Sequence, residues 1–163
     1  MRISKISLIN WKNFRKTEVE LPYRVFIVGP NASGKSNFLD AIRFLRDIVK
    51  QGGGLQESVS TLRGGISKIR CVAARSNTDI TVGVVVNNGN DLPEWEYRLA
   101  FNQTGGGIVD LRVLVKEEFL KNLITEKYIS IENLKTARVN IRRVLRISNR
   151  RRVMKSSNRL LIF

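Results

Sequence analysis

Along the first fifty residues the apolar positions change their period twice. Residues 2–9 alternate, with Ile6 and Leu8 on one face, and residues 17–21 alternate again. Two short strands are predicted, joined by a polar, aromatic-bearing turn over residues 10–16. Pro22 ends the second strand, because proline has no N–H to give to a ladder. Val25, Phe26, Ile27 and Val28 are then apolar without a break, the pattern of a strand buried on both faces of a parallel sheet. After residue 36 the apolar residues Phe38, Leu39, Ile42, Leu45, Ile48 and Val49 recur at helical spacing. A helix is predicted over 36–50, stopped by Gly52-Gly53-Gly54.

Residues 55–63 read as a short helix closed by Gly64-Gly65. Strand-like stretches follow at 69–74, 80–86, 94–101 and 108–119. The turn-rich separators Asn87-Asn88-Gly89-Asn90 and Thr104-Gly105-Gly106-Gly107 make the later stretches an antiparallel meander. The predicted class is α/β, with a parallel-type core followed by an antiparallel sheet. That order does not suit a small kinase, whose strands and helices alternate. Near the end, Leu134, Ala137, Ile141, Val144 and Leu145 sit at helical spacing, with Arg138, Arg142, Arg143 and Arg146 off that face. A basic amphipathic helix is the local reading. The stretch beyond Ile147 is nearly patternless and is expected to be disordered in isolation. The expected organisation is a lobe over 1–132 and a basic tail over 133–163.

Composition narrows the classes. A chain of 163 residues with 42% hydrophobic content can build one core. No apolar run approaches 18 residues and the start is unlike a signal peptide, so no membrane partner is expected. One cysteine, Cys71, excludes an internal disulfide framework and suits a reducing cytoplasm. The absence of histidine rules out a His-dependent triad and a His-ligated zinc within these residues. The net charge is +15, but residues 133–163 hold ten Lys or Arg and no acid, so the tail carries most of it. That distribution allows a nucleic-acid-binding tail, with DNA as a possible partner.

The candidate chemistry lies between the buried run and the helix. Gly29-Pro30-Asn31-Ala32-Ser33-Gly34-Lys35-Ser36 fits the G-x-x-x-x-G-K-[ST] phosphate-loop (Walker A) pattern at every required position. Backbone N–H groups of such a loop form an anion-binding concavity, and the helix that opens at Gly34 adds the positive end of its dipole. Lys35 is placed to reach β- and γ-phosphates, and the Ser36 hydroxyl to ligate Mg²⁺. ATP and Mg²⁺ are the expected cofactors. The plain alternative is a glycine-rich turn that holds no phosphate.

Residues Ile6-Ser7-Leu8-Ile9-Asn10-Trp11-Lys12-Asn13-Phe14-Arg15, followed by the run from Val25 through the loop to Asn37-Phe38-Leu39-Asp40-Ala41-Ile42, resemble the amino-terminal lobe of SMC/RecF/OLD-type ATPases. These are ABC-class heads, loosely grouped with AAA-family ATPases, and the resemblance extends over roughly the first 120 residues. It implies a P-loop NTPase fold with a mixed and antiparallel sheet, and a role in DNA repair, maintenance or phage defence. It also implies that Gly29, Asn31, Ala32, Ser33, Gly34, Lys35, Ser36 and Asn37 surround the phosphates and Mg²⁺. Lys12, Asn13, Phe14 and Arg15 would lie in the turn that approaches base and ribose, or form a plain hairpin. Ala32 stands where the family commonly has glycine, which suggests a backbone without positive φ there. Gln103 is a candidate metal- and water-contacting glutamine, or a turn residue.

Such heads need a second lobe with an LSGG-type signature and an apolar strand ending in Asp-Glu. Neither occurs here: Ile108-Val109-Asp110 is too short and lacks a following carboxylate, and Lys116 interrupts the run before Glu117-Glu118. That pair is expected to form structural salt bridges. The chain therefore reads as half of a head. Either it is a truncated or frameshifted product, or a partner chain supplies the other lobe, with a second head as a homodimer partner. The other functions in view are a nucleic-acid-binding protein acting through its tail and an ABC transporter nucleotide-binding subunit.

Overall fold

Alternation carries the first strand further than its clearest stretch, and the hairpin is correspondingly tight. β1 runs Arg2–Trp11 and β2 Phe14–Glu20, so the turn is the pair Lys12-Asn13 rather than residues 10–16. Trp11 and Phe14 face each other across it, and Asn10 and Lys12 take positive φ (54° and 50°) to close it. The computed structural model describes residues 2–75, 77–88, 92–103 and 112–130. After the loop come the helices α1 (Lys35–Val49), α2 (Leu55–Arg63) and α3 (Ile66–Ile69), then the strands β3 (Ile80–Asn87), β4 (Pro93–Gln103), β5 (Val113–Asn122) and β6 (Tyr128–Ser130).

Among the described residues the strands form one sheet in the order β2-β1-β3-β4-β5-β6, with every pairing antiparallel. One face carries Ile6, Leu8, Val82, Leu99 and Phe101 against Phe38, Ala41, Phe44 and Ile48 of α1 and Leu55 and Val59 of α2. The other carries Lys5, Ser7, Glu96 and Arg98, and there the Lys5 ammonium pairs with Glu18. This is the one-sided burial that period-two alternation produces.

Two predicted strands do not form. Among the described residues, 25–28 pair with no strand and are exposed, with Phe26 and Val28 each 87% accessible. An apolar run is fit for burial between neighbours, and no described strand pairs with this one. Residues 69–74 are also not a strand. Ile66 and Ile69 are three residues apart and both buried in α3, and only an isolated bridge from Arg70 to Trp11 follows. The predicted strand 108–119 begins at Val113 within the described residues and runs on to Asn122. Ile108-Val109-Asp110 and the whole tail reading over 133–163 lie outside the described residues.

Lys116, which breaks the pattern of β5, is absorbed as a bulge. Ala100 pairs with Glu117 but Phe101 pairs with Val115, so the inward parity changes at Lys116 and both Val115 and Glu118 face the core. Glu117 reaches Arg98 at 3.8 Å. Among the described residues Glu118 has no salt-bridge partner; it is 0% exposed and accepts a 2.8 Å bond from the Tyr97 hydroxyl, while its other carboxylate oxygen has no partner among them. Burial pushes the Glu118 carboxyl above its usual range, and the Tyr97 bond only partly offsets that.

A folded-state value above the unfolded one means that stability is fully present below the unfolded value and declines as pH rises through the folded one. Glu118→Gln keeps an acceptor for Tyr97 without a buried charge. It is expected to raise stability by about 1 kcal/mol at pH 7.5 and to change it little at pH 4. Urea unfolding at the two pH values measures this, and a loss of stability at pH 7.5 contradicts it.

Candidate functional site

The loop meets α1 at an uncapped end. Gly34 is the N-cap residue, with φ 102° and ψ 3°, and no side chain caps the helix. The N–H groups of the first turn therefore have no intrahelical acceptor, and the dipole is positive there. Lys35 Nζ curls back to donate to the carbonyls of Gly29 (2.7 Å) and Pro30 (2.6 Å), while Ser33 N–H closes a turn on Pro30 O at 3.4 Å. Ser36 is exposed beside Lys35. Uncapped N–H groups, a lysine spanning the loop and a free hydroxyl fit a phosphate group. They also fit a Mg²⁺ held through that phosphate rather than in an all-protein cage. Among the described residues no cluster of acids or cysteine could hold a metal by itself.

Ala32 departs from expectation. Its φ is +63°, so the backbone does take the left-handed conformation that its side chain disfavours. The loop must reverse direction between Pro30 and Gly34, and that curvature prevails over residue preference. Ala32→Val at this exposed position is therefore expected to cost about 1–2 kcal/mol, where ordinary surface changes stay within about 0.5. Ala32→Gly should be neutral or stabilising. Urea midpoints for the two variants separate this from a relaxed loop, in which valine would cost nothing.

The β1–β2 turn grips the first two turns of α1. Asn13 Oδ1 accepts from Asn37 Nδ2 at 2.9 Å, and Lys12 Nζ pairs with Asp40 at 2.8 Å. Phe14 meets Phe38 edge-on at 6.4 Å, and the Trp11 indole N–H donates to Asn37 O at 2.9 Å. Lys12 and Phe14 are thus engaged by the helix, while Arg15 is exposed. Gln103 ends β4 opposite Val113 and is not in a turn. The register puts it at the same end of the sheet as Trp11, but among the described residues no contact joins its side chain to the loop.

Sequence reasoning missed the charged cluster behind the site. Arg63, at the end of α2 with a side chain only 6% exposed, bonds to both oxygens of Asp40 (3.0 and 3.1 Å) and to Asp47 (3.0 Å). It also donates to Ser58 O and lies 5.2 Å above the Phe44 ring. Burial works against ionisation of Asp40 and Asp47. Hydrogen bonds and positive charge, from Arg63 and Lys12 on Asp40 and from Arg46 and Arg63 on Asp47, outweigh it and hold both carboxyls below their usual range. The available signal was the seven-residue spacing of Asp40 and Asp47, which puts both on one helix face.

A groove of about 510 Å³ runs from β2 past Val25 and Ile27 to Gly34 and Lys35. No described helix is long and apolar enough to cross a membrane.

A family model for the AAA ATPase domain matches residues 1–161. The chain is 35% identical over 75 residues to the DNA replication and repair protein RecF of Acaryochloris marina, covering 39% of this chain and 20% of that protein. It is 50% identical over 44 residues to the chromosome partition protein Smc of Methanocaldococcus jannaschii, covering 26% and 4%. With endonuclease GajA of Bacillus cereus it shares 45% over 47 residues, covering 29% and 8%. The chain thus matches a fifth or less of each of these relatives. A solved structure from work on ATP-driven dimerization and DNA-stimulated activation of SMC ATPases aligns with a TM-score of 0.51 and 21% identity, over 98% of this chain and 86% of its own. That likeness speaks for the fold.

Proposed function

We propose that this chain, which belongs to the AAA ATPase domain family, is the ATP-binding amino-terminal lobe of an SMC/RecF/OLD-like ATPase. Its role would lie in DNA repair or chromosome maintenance. The observation that carries the reading is the loop Gly29 to Ser36 opening onto the uncapped start of α1, with Lys35 already reaching across it. ATP with Mg²⁺ is the proposed ligand: loop N–H groups and Lys35 hold the phosphates, and Ser36 offers its hydroxyl to the metal. When bound, Mg²⁺ would neutralise charge on the phosphates. This chain's own residues bind and orient.

The site is proposed to be half of a composite. Hydrolysis needs a carboxylate that positions or activates water, and the family's signature and Asp-Glu strand belong to a second lobe. The exposed apolar residues Phe26 and Val28, leading directly into the loop, support a neighbouring strand contributed by that lobe. A second head, related to this one as in a homodimer, is the further partner in this reading, and DNA the target. The purified chain should bind ATP–Mg²⁺ weakly and turn it over at or near background. Absence of binding would overturn the reading as a whole. Turnover of about one per second, lost in Lys35→Ala, would overturn only its half-site part.

A further inference from the structure

Gly34 is buried, although residues 31–33 beside it are exposed. The side chain of Asn13, from the far side of the hairpin, lies against it: a Cβ on Gly34 would collide with the Asn13 amide nitrogen. The same side chain accepts the 2.9 Å bond from Asn37. Asn13 therefore touches both ends of the segment 34–37, where the loop opens onto the helix. Glycine is the residue with the most conformational freedom, and no side chain caps the helix at this point. Its φ of 102° needs an outside contact to stay fixed.

Asn13 is itself held on both sides. Lys12 is tied to Asp40 through its ammonium and to Ile69 O through its N–H, and Phe14 packs on Phe38. The turn backbone cannot drift, so its central side chain can act as a fixed stop.

We propose that Asn13 is a positioning residue of the phosphate loop: it fixes the exit segment 34–37 from across the β1–β2 turn and does not contact base or ribose. Its effect on nucleotide affinity rests on the proposed ATP-binding function, whereas its effect on the order of the segment does not. A loop held ready loses less freedom when it binds.

The test uses the full chain and two readouts, amide hydrogen exchange and ATP affinity measured with a fluorescent analogue. In Asn13→Ala the Phe38 amide, bonded to Gly34 O at 2.9 Å, and the amides of residues 39–41, bonded one helical turn back to residues 35–37, should exchange about fivefold faster, with the amides of β3 and β4 unchanged. ATP affinity should fall by a similar factor. Asn13→Asp keeps the acceptor for Asn37, so exchange should return to the slow rate, while the added negative charge keeps ATP affinity low. Unchanged exchange at 38–41 in Asn13→Ala overturns the proposal, as does an equal acceleration throughout the sheet. In Asn13→Ala, reduced affinity with unchanged exchange at 38–41 would mean that Asn13 touches the nucleotide, and overturns it too. If the wild-type chain binds no ATP, the exchange arm still decides the positioning role, and only the functional reading fails.

Discussion

Lys35→Ala is expected to lower affinity for ATP–Mg²⁺ by roughly a hundredfold, about 3 kcal/mol, with little change in the unfolding midpoint. The lysine ammonium has three donors, and the Gly29 and Pro30 carbonyls take two of them across the loop. The third, or a regrouping of all three, is available for phosphate. Alanine removes that charge-assisted contact together with the strut that holds the loop closed. Stability is spared because Lys35 is not in the core. Lys35→Arg retains the charge but replaces a compact ammonium with a planar fork, so only part of the affinity should return. Anisotropy titration of a fluorescent ATP analogue measures all three proteins, and equal affinity for wild type and alanine variant would place any bound nucleotide elsewhere.

Arg63→Ala is expected to destabilise the fold by about 3–5 kcal/mol, a large share of a typical domain's 5–15. The substitution leaves Asp40 and Asp47 without the partner between them, removes the donor to Ser58 O and uncovers the Phe44 ring. Because both aspartates ionise below their usual range in the fold, their contribution is present above the unfolded value. It is lost as pH falls through the folded ones. In Arg63→Ala that acid dependence should flatten. Replacing the three charges together, as Arg63→Met with Asp40→Asn and Asp47→Asn, should cost far less than the single change. Urea unfolding from pH 3 to 7 tests both statements. A loss below about 1 kcal/mol at neutral pH would reduce the cluster to the level of surface ion pairs.

Elements whose burial is decided by their own residues were legible in the sequence. The spacing of Phe38, Ile42, Leu45 and Ile48 gave α1 to within a residue at each end, because a helix needs only one apolar stripe. The strand-like stretches 80–86 and 94–101 placed β3 to within a residue at each end, and β4 to one residue at its start and two at its end. Residues 25–28 were misread because uninterrupted apolarity says that a segment can be buried and not which neighbour buries it. Residues 69–74 were misread because Ile69 belongs with Ile66 behind a glycine and not with residues 70–74. At the site, the G-x-x-x-x-G-K-S spacing located the loop, but the left-handed Ala32 comes from how the chain must turn there. The contacts of Arg63 with Asp40 and Asp47 join residues 23 and 16 positions apart on different helices, a distance that local pattern does not span.

Trp11 has a consequence of another kind. Its indole is fully buried, bonded to the carbonyl of Asn37 and stacked obliquely on Phe44 at 5.1 Å, which in turn stacks on Phe101 at 5.3 Å. The other tryptophan, Trp95, lies on β4 opposite Val86, whose own partner is Ile3, at the far end of the sheet. At the rise of a β-strand the two rings are separated by roughly 25 Å along the sheet. The chain thus contains two tryptophans at opposite ends of the sheet: with Trp95 replaced by Phe, the remaining tryptophan emission tracks the first turn of α1, so events at the loop can be watched without an added label.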